Sequence, residues 1–211
     1  MSRSAASLLH ALDRAQAGAE PARTIEEALA NASLEVRSRA AEVAAKRLSA
    51  ERLVEIVGRG DSYMGRATAM EALRQAGEKA LDAVEAGALS NEHDTALFCI
   101  QVLAGIDHPR ARATLRELVG HPDVLLSQAA VESLGEQRDR EAVGLLLDLL
   151  SDEREALEMD PWRALSAVIA LGQIGSPEAI EGLLRQRGSD IFRDTVDEAL
   201  SAIRRESGAY A

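Results

Sequence analysis

The chain contains little of several residue types on which other protein classes depend. Cys99 is its only cysteine, which excludes an intramolecular disulfide and a thiolate metal cluster. Aromatic residues make up only 2% of the 211 residues, so the core must be built from Ala, Leu, Val and Ile. Cores of β-sandwiches and barrels usually use β-branched and aromatic residues, whereas Ala, Leu, Glu and Arg favour helices. The composition therefore predicts an all-α protein.

The chain also has fewer basic than acidic residues, 24 against 35, and it has no long apolar run. The formal net charge is −11, so the overall field repels the phosphates of nucleic acids and anionic lipids. Lys46 and Lys79 are the only lysines, and this preference for arginine is typical of a GC-rich prokaryotic genome. No stretch approaches the roughly 20 apolar residues of a membrane span, and residues 1–16 lack the apolar segment of a signal peptide. We expect a cytoplasmic protein without nucleic-acid or membrane partners.

One short segment recurs along the chain and ends each time at an apolar residue. It is clearest at residues 65–73, 126–134 and 163–171, where small apolar residues precede a leucine. Successive copies are separated by 29, 30, 31, 37 and 29 residues if their last residues are equivalent, namely Ala44, Leu73, Leu103, Leu134, Leu171 and Leu200. Between the copies lie second apolar-periodic segments, at 48–57, 78–89, 109–119, 140–150 and 177–187. Each repeat is therefore predicted to be a helical hairpin.

The repeats are predicted to form one domain that spans residues 1–211. A divergent hairpin at the N-terminus is followed by five repeats and a capping helix with its tail, with the boundaries 1–31, 32–60, 61–90, 91–121, 122–151, 160–188 and 189–211. Thr24 and Glu27 have the spacing of a capping box, which predicts that a helix begins after Thr24.

The pattern resembles the short HEAT-like repeat of phycobilisome lyases. The resemblance is clearest over residues 126–150 and 164–184, and it extends over roughly residues 62–203. Tetratricopeptide and ankyrin repeats have longer periods, of about 34 and 33 residues, and their signature residues are absent here. The resemblance implies a right-handed α-α superhelical solenoid of about six helical hairpins. In such arrays the second helices usually line a concave surface to which partners bind.

Enzymatic branches of this family place specific demands on the sequence. Deoxyhypusine hydroxylase carries repeated His-Glu dipeptides that bind two irons, and this chain has no such dipeptide. Its four histidines include no i, i+4 pair, so we expect no metal site and no cofactor. The family's DNA glycosylases use a basic groove with aromatics, which an acidic chain with one Trp lacks. Nucleophilic triads and phosphate loops are also absent.

These absences predict that the protein is not an enzyme. We expect a protein-protein interaction scaffold, or a regulatory or adaptor subunit, that binds another protein through the concave second-helix surface. A bilin lyase-like or chaperone-like protein that handles a tetrapyrrole is the alternative, and a HEAT-type nucleic-acid binder is a third hypothesis. The sequence leaves the partner and the oligomeric state open, and a monomer is possible.

Two arginines mark a candidate partner site on the second helices. Arg112 and Arg116 stand where the other repeats have apolar residues. Either this helix is rotated and the arginine stems cover apolar surface, or the pair binds carboxylates of a partner. Further second-helix residues extend this surface with mixed charge, namely Arg52, Arg59, Glu85, Asp148, Glu181 and Arg185.

An insertion between Ser151 and Pro161 accounts for the longest step of the repeat. Leu157, Met159 and Trp162 lie in or beside it and form a second candidate contact, because Met and Trp are enriched at interface centres. Local packing of a long loop is the alternative explanation.

Overall fold

A computed structural model describes residues 4–151, 161–188 and 192–206 of the chain. These residues form helices and connecting turns, with no strand among them, as predicted for an all-α HEAT-like fold. The chain divides into two compact units, Met1–Ile106 and Asp107–Ala211. The boundary lies inside the predicted repeat 91–121, between its two helices.

The first unit is a stack of helical hairpins. Its helices are α1 (Ala5–Gln16), α2 (Ala22–Leu29), α3 (Leu34–Arg47), α4 (Ala50–Arg59), α5 (Tyr63–Ala76), α6 (Leu81–Ala88) and α7 (His93–Ala104). The first helices of successive hairpins pack on one another, α1 on α3, α3 on α5 and α5 on α7. The second helices α4 and α6 are also in contact, so each unit of sequence packs against its neighbour as HEAT-like repeats do.

The second unit repeats this arrangement. Its helices are α8 (Pro109–Leu118), α9 (Val124–Glu136), α10 (Val143–Ser151), α11 (Pro161–Ile174), α12 (Ile180–Gln186) and α13 (Arg193–Glu206). Helix α11 packs between α9 and α13, and α10 contacts α12 in the second layer. Short 3-10 turns precede three second helices of the chain, at Gly77–Ala80, Arg140–Ala142 and Pro177–Ala179.

The repeat positions of the sequence form the core of both units. The equivalent residues that end each recurring segment are at most 3% exposed, namely Ala44, Leu73, Leu103, Leu134, Leu171 and Leu200. Cys99 is buried at 0% exposure, in the position that alanine has in other repeats. Burial of its thiol raises the pKa to about 12, because the thiolate would lose its hydration. The residues that recur from repeat to repeat are therefore the residues of the buried face.

Side chains cap the first turns of several helices, whereas α2, α3, α6, α7 and α12 begin without a side-chain cap. The Ser62 hydroxyl accepts a hydrogen bond from the Gly65 N–H at 3.1 Å, and the Asp123 carboxylate accepts one from the Leu125 N–H at 2.9 Å. The predicted capping box at Thr24 is wrong. Helix α2 begins at Ala22, so Thr24 lies inside its first turn, where its side chain is buried.

Two glycines allow the first helices of the second unit to approach closely. A Cβ atom at Gly135 would lie 2.8 Å from the Ala170 Cα atom, and one at Gly172 would lie 2.9 Å from the Ala199 Cα atom. Distances this short mean that α9, α11 and α13 touch through their backbones. The glycine that follows the repeat leucine in two repeats, Gly135 after Leu134 and Gly172 after Leu171, makes this contact possible.

Candidate functional site

The predicted arginine pair of α8 forms ion pairs within the chain. Arg112 donates to the Asp107 carboxylate at 2.7 Å. Arg116 donates to Asp139 at 2.6 Å and lies 3.0 Å from a carboxylate oxygen of Glu141. Asp139 is buried, with 6% of its side chain exposed, so Arg116 compensates a carboxylate that has lost most of its water. Both guanidinium groups are thus paired with acidic residues of the chain.

The predicted arginines of the first unit also form ion pairs within the chain. Arg52 donates to both carboxylate oxygens of Glu26 at 2.8 Å and to Glu55 at 2.6 Å. Its hydrogen bond lowers the pKa of the Glu26 carboxyl and raises the pKa of the Arg52 guanidinium, because each ionised group stabilises the other. Arg59 lies 3.6 Å from Glu55 on the next turn.

The remaining predicted residues do not converge on a single site. Glu181 and Arg185 pair with each other along α12 at 3.3 Å, Asp148 is exposed on α10, and Glu85 is partly buried on α6. Trp162 is 69% exposed in the first turn of α11. Leu157 and Met159 lie outside the described residues. The predicted residues thus lie on several helices, and within the described part of the chain the ion pair between two of them is that of Glu181 with Arg185.

The histidines do not provide an iron site of the kind that the HEAT-like hydroxylases use. No group of three or more His, Cys, Asp or Glu side chains that could hold a metal ion occurs in residues 4–151, 161–188 and 192–206. The Nδ1 atom of His108 accepts a hydrogen bond from the Arg110 N–H, and that of His121 accepts one from the Asp123 N–H. The donor set of the described residues therefore does not fit two irons.

A groove on the first helices of the second unit is the candidate ligand site. It has a volume of about 570 Å³, within the range of small-molecule sites, and it runs between α11 and α13 beside the end of α9. Its lining includes the apolar or small residues Ile169, Gly172, Ala199 and Ala202. Ile169 is 43% exposed, so the groove presents apolar surface to a ligand.

Three acidic and two basic side chains line this groove. Glu136 and Glu198 are exposed, and neither carboxylate forms an ion pair or hydrogen bond with any residue that the structure describes. Glu206 is paired with Arg138 at 2.7 Å, and the Arg205 Nε–H donates to the Ser201 carbonyl oxygen at 3.3 Å. Two free carboxylates beside an apolar floor suit an aliphatic ammonium group.

Sequence reasoning missed this groove because it concentrated on the second helices. One signal was present in the repeat itself. Ile169 occupies the position two residues before the repeat leucine, where the neighbouring repeats have Glu132 and Glu198. An apolar side chain at a position that the two neighbouring repeats keep charged marks the exposed apolar surface of the groove.

The sequence of this chain matches two family models of helical repeats. The family model for HEAT repeats matches residues 89–160, and the one for the PBS lyase HEAT-like repeat matches residues 164–185. Both matches confirm the predicted HEAT-like repeats. No helix of the described residues is long and apolar enough to cross a membrane.

Curated relatives include human and bovine deoxyhypusine hydroxylase. Each is 33% identical to the chain over 110 residues, which cover 52% of this chain and 34% of the relative, so the chain spans about a third of their length. The structure of human deoxyhypusine hydroxylase in complex with glycerol is 17% identical, with a TM-score of 0.53 over 97% of this chain and 81% of that one. An engineered protein is 16% identical, with a TM-score of 0.50 over 97% and 98%. At these identities the two structures show a shared fold.

The prediction of a non-enzymatic scaffold or adaptor is wrong, because the sequence relatives are enzymes. The prediction followed in part from the absence of the His-Glu dipeptides that deoxyhypusine hydroxylase carries. That absence concerns only metal ligands, whereas the 33% identity runs through 110 residues.

Proposed function

We propose that this HEAT-like repeat protein takes part in an enzymatic reaction on an amine-bearing substrate, and that its own residues bind that substrate. The observation that carries this proposal is the 33% identity to deoxyhypusine hydroxylase over 110 residues. Deoxyhypusine, the substrate in that enzyme's name, is an amino acid with a long aliphatic side chain that carries amino groups. A protein that acts on it must hold methylene groups and ammonium groups at once.

The groove between α11 and α13 offers both kinds of contact. Ile169 and Ala202 provide apolar surface for methylene groups, each of which contributes about 0.8 kcal/mol when fully buried. The free carboxylates of Glu136 and Glu198 accept hydrogen bonds from ammonium groups. The net charge of −11 attracts a cationic substrate from a distance.

The chain's part in the reaction is substrate binding and orientation. An iron centre of a hydroxylase would supply oxidation, but the described residues do not fit such a centre. Intramolecular ion pairs account for the arginines of α4 and α8, so the proposal does not use them.

A binding assay and an oxidation assay together test this function. We expect a peptide that contains deoxyhypusine to bind more tightly, in calorimetry, than the same peptide with norleucine at that position. Glu136→Gln with Glu198→Gln should weaken binding about tenfold, as expected for the loss of charge-assisted hydrogen bonds. Glu117→Gln with Glu178→Gln removes the same charge at exposed positions of the same unit and should change the affinity little.

The oxidation assay distinguishes how much of the reaction the chain performs. The purified chain is incubated with the deoxyhypusine peptide, ferrous iron and air, and mass spectrometry detects the gain of one oxygen atom. We expect binding without oxygen gain, because the described residues lack a metal cluster. Oxygen gain would overturn the assignment of substrate binding as the chain's only part. Equal binding of both peptides would overturn the proposed function.

The composition supports two further proposals, on the cellular location and on nucleic acid as a partner. We place the protein in the cytoplasm, which suits a single free cysteine that is buried and reduced. We also propose that nucleic acid is not a partner, because the negative net charge opposes phosphate contacts.

A further inference from the structure

Both lysines of the chain line the same place in the first unit. Two adjoining pockets, of about 280 and 340 Å³, share Ala45, Lys46, Ala76 and Lys79 in their linings. Lys46 lies in the last turn of α3, and Lys79 lies in the 3-10 turn before α6, one repeat further along the chain. In a sequence whose other basic residues are all arginine, the two lysine ammonium groups are thus brought to one site by the stacking of repeats.

Neither lysine forms an ion pair or hydrogen bond with any residue that the structure describes. This contrasts with the arginines of the same unit, since Arg39 and Arg52 each contact two carboxylates. Glu42 also lines one of the two pockets, but its carboxylate accepts a hydrogen bond from Arg39 at 2.8 Å. The protein has 35 acidic residues, yet these two cations have no described counter-charge.

The beginning of α4 adds hydrogen-bond donors to the same site. Ser49 and Ala50 line the second pocket, and Ser49 is the N-cap of this ten-residue helix. The Ser49 hydroxyl accepts the Arg52 N–H at 3.2 Å, which leaves the N–H groups of Ala50 and Glu51 without a bond among the described residues. Free N–H groups and the positive end of a helix dipole favour an anion.

We propose that Lys46, Lys79 and the N-terminus of α4 bind the phosphate group of a small phosphorylated molecule. A phosphate group carries close to two negative charges at neutral pH and has several acceptor oxygens, which match two ammonium groups and backbone donors. The larger pocket, of about 340 Å³, lies at the lower end of the volume range of small-molecule sites. This site lies in the first unit and is independent of the proposed amine site, which lies in the second.

The test titrates the full chain with inorganic phosphate and, separately, with glycerol phosphate, at constant ionic strength set by chloride. Calorimetry measures the affinity of the wild type and of Lys46→Gln with Lys79→Gln. We expect saturable binding by the wild type and a loss of about tenfold or more in the double variant. Arg23→Gln with Arg204→Gln removes the same charge from exposed positions away from the pockets and should retain wild-type affinity.

Circular dichroism must show that the lysine variant keeps its helices, which we expect because both side chains are exposed. Tighter binding of glycerol phosphate than of inorganic phosphate would assign the site to a phosphate monoester, whereas the reverse would assign it to free phosphate. Either result supports an anion site of this chemistry. No saturable binding, or equal losses in the lysine and arginine variants, would overturn the proposal. Neither result bears on the amine site of the second unit.

Discussion

The close packing of the first helices predicts opposite effects for one substitution at two glycines. Gly172 and Gly144 both lie in helices of the second unit, and alanine at either should gain about 0.5–1 kcal/mol of helix propensity. At Gly172 the new Cβ atom would lie 2.9 Å from the Cα and Cβ atoms of Ala199. Overpacking of this kind costs about 1–3 kcal/mol, because backbone rather than a flexible side chain must move.

At Gly144 the added methyl group meets no atom within 4 Å. We therefore expect Gly172→Ala to destabilise the protein by about 1–2 kcal/mol and Gly144→Ala to stabilise it by about 0.5–1 kcal/mol. Urea denaturation followed by far-UV circular dichroism measures both free energies of unfolding. Equal or increased stability of Gly172→Ala would refute the backbone contact between α11 and α13.

Three further predictions concern buried and paired groups. Arg116→Met should destabilise the protein by about 1–3 kcal/mol in the same denaturation assay, because it leaves the buried Asp139 carboxylate without its cation; a change near zero would contradict this. The Cys99 thiol should resist alkylation in the native protein and react after denaturation, since burial raises the pKa to about 12; rapid native labelling would argue against its burial. The Arg52 hydrogen bond lowers the pKa of Glu26 below its ordinary value of 4.5. The pair therefore stabilises the fold at pH values above 4.5, and this contribution is lost as the pH falls through the lowered pKa. Glu26→Gln should therefore destabilise the protein at neutral pH and match the wild type in acid, and a pH-independent difference would refute the assignment.

The repeat was predictable because its physical cause lies in local spacing. Every repeat must place a leucine or alanine on the buried face, and a helical period fixes which residues share that face. Leu73, Leu134 and Leu171 show no exposed surface for this reason. The beginning of α2 was misplaced because Thr24 and Glu27 satisfy a capping pattern without occupying the positions that it requires.

The sites were less predictable because they depend on pairings between distant residues. Arg116 meets Asp139 over 23 residues of sequence, and no periodicity shows that one neutralises the other. The lysine pockets arise from Lys46 and Lys79 only when two repeats stack. The candidate amine groove was marked in the sequence by Ile169, but its carboxylates come from α9 and α13, on either side of that residue's helix.

The most direct test of the proposed function is calorimetric titration of the wild-type chain with the deoxyhypusine peptide and its norleucine counterpart. We expect the amine-bearing peptide to bind more tightly, and we expect Glu136→Gln with Glu198→Gln to remove this preference. Equal affinity for both peptides in the wild type, or a preference that the double variant retains, would contradict the assignment of the groove between α11 and α13 as an amine site.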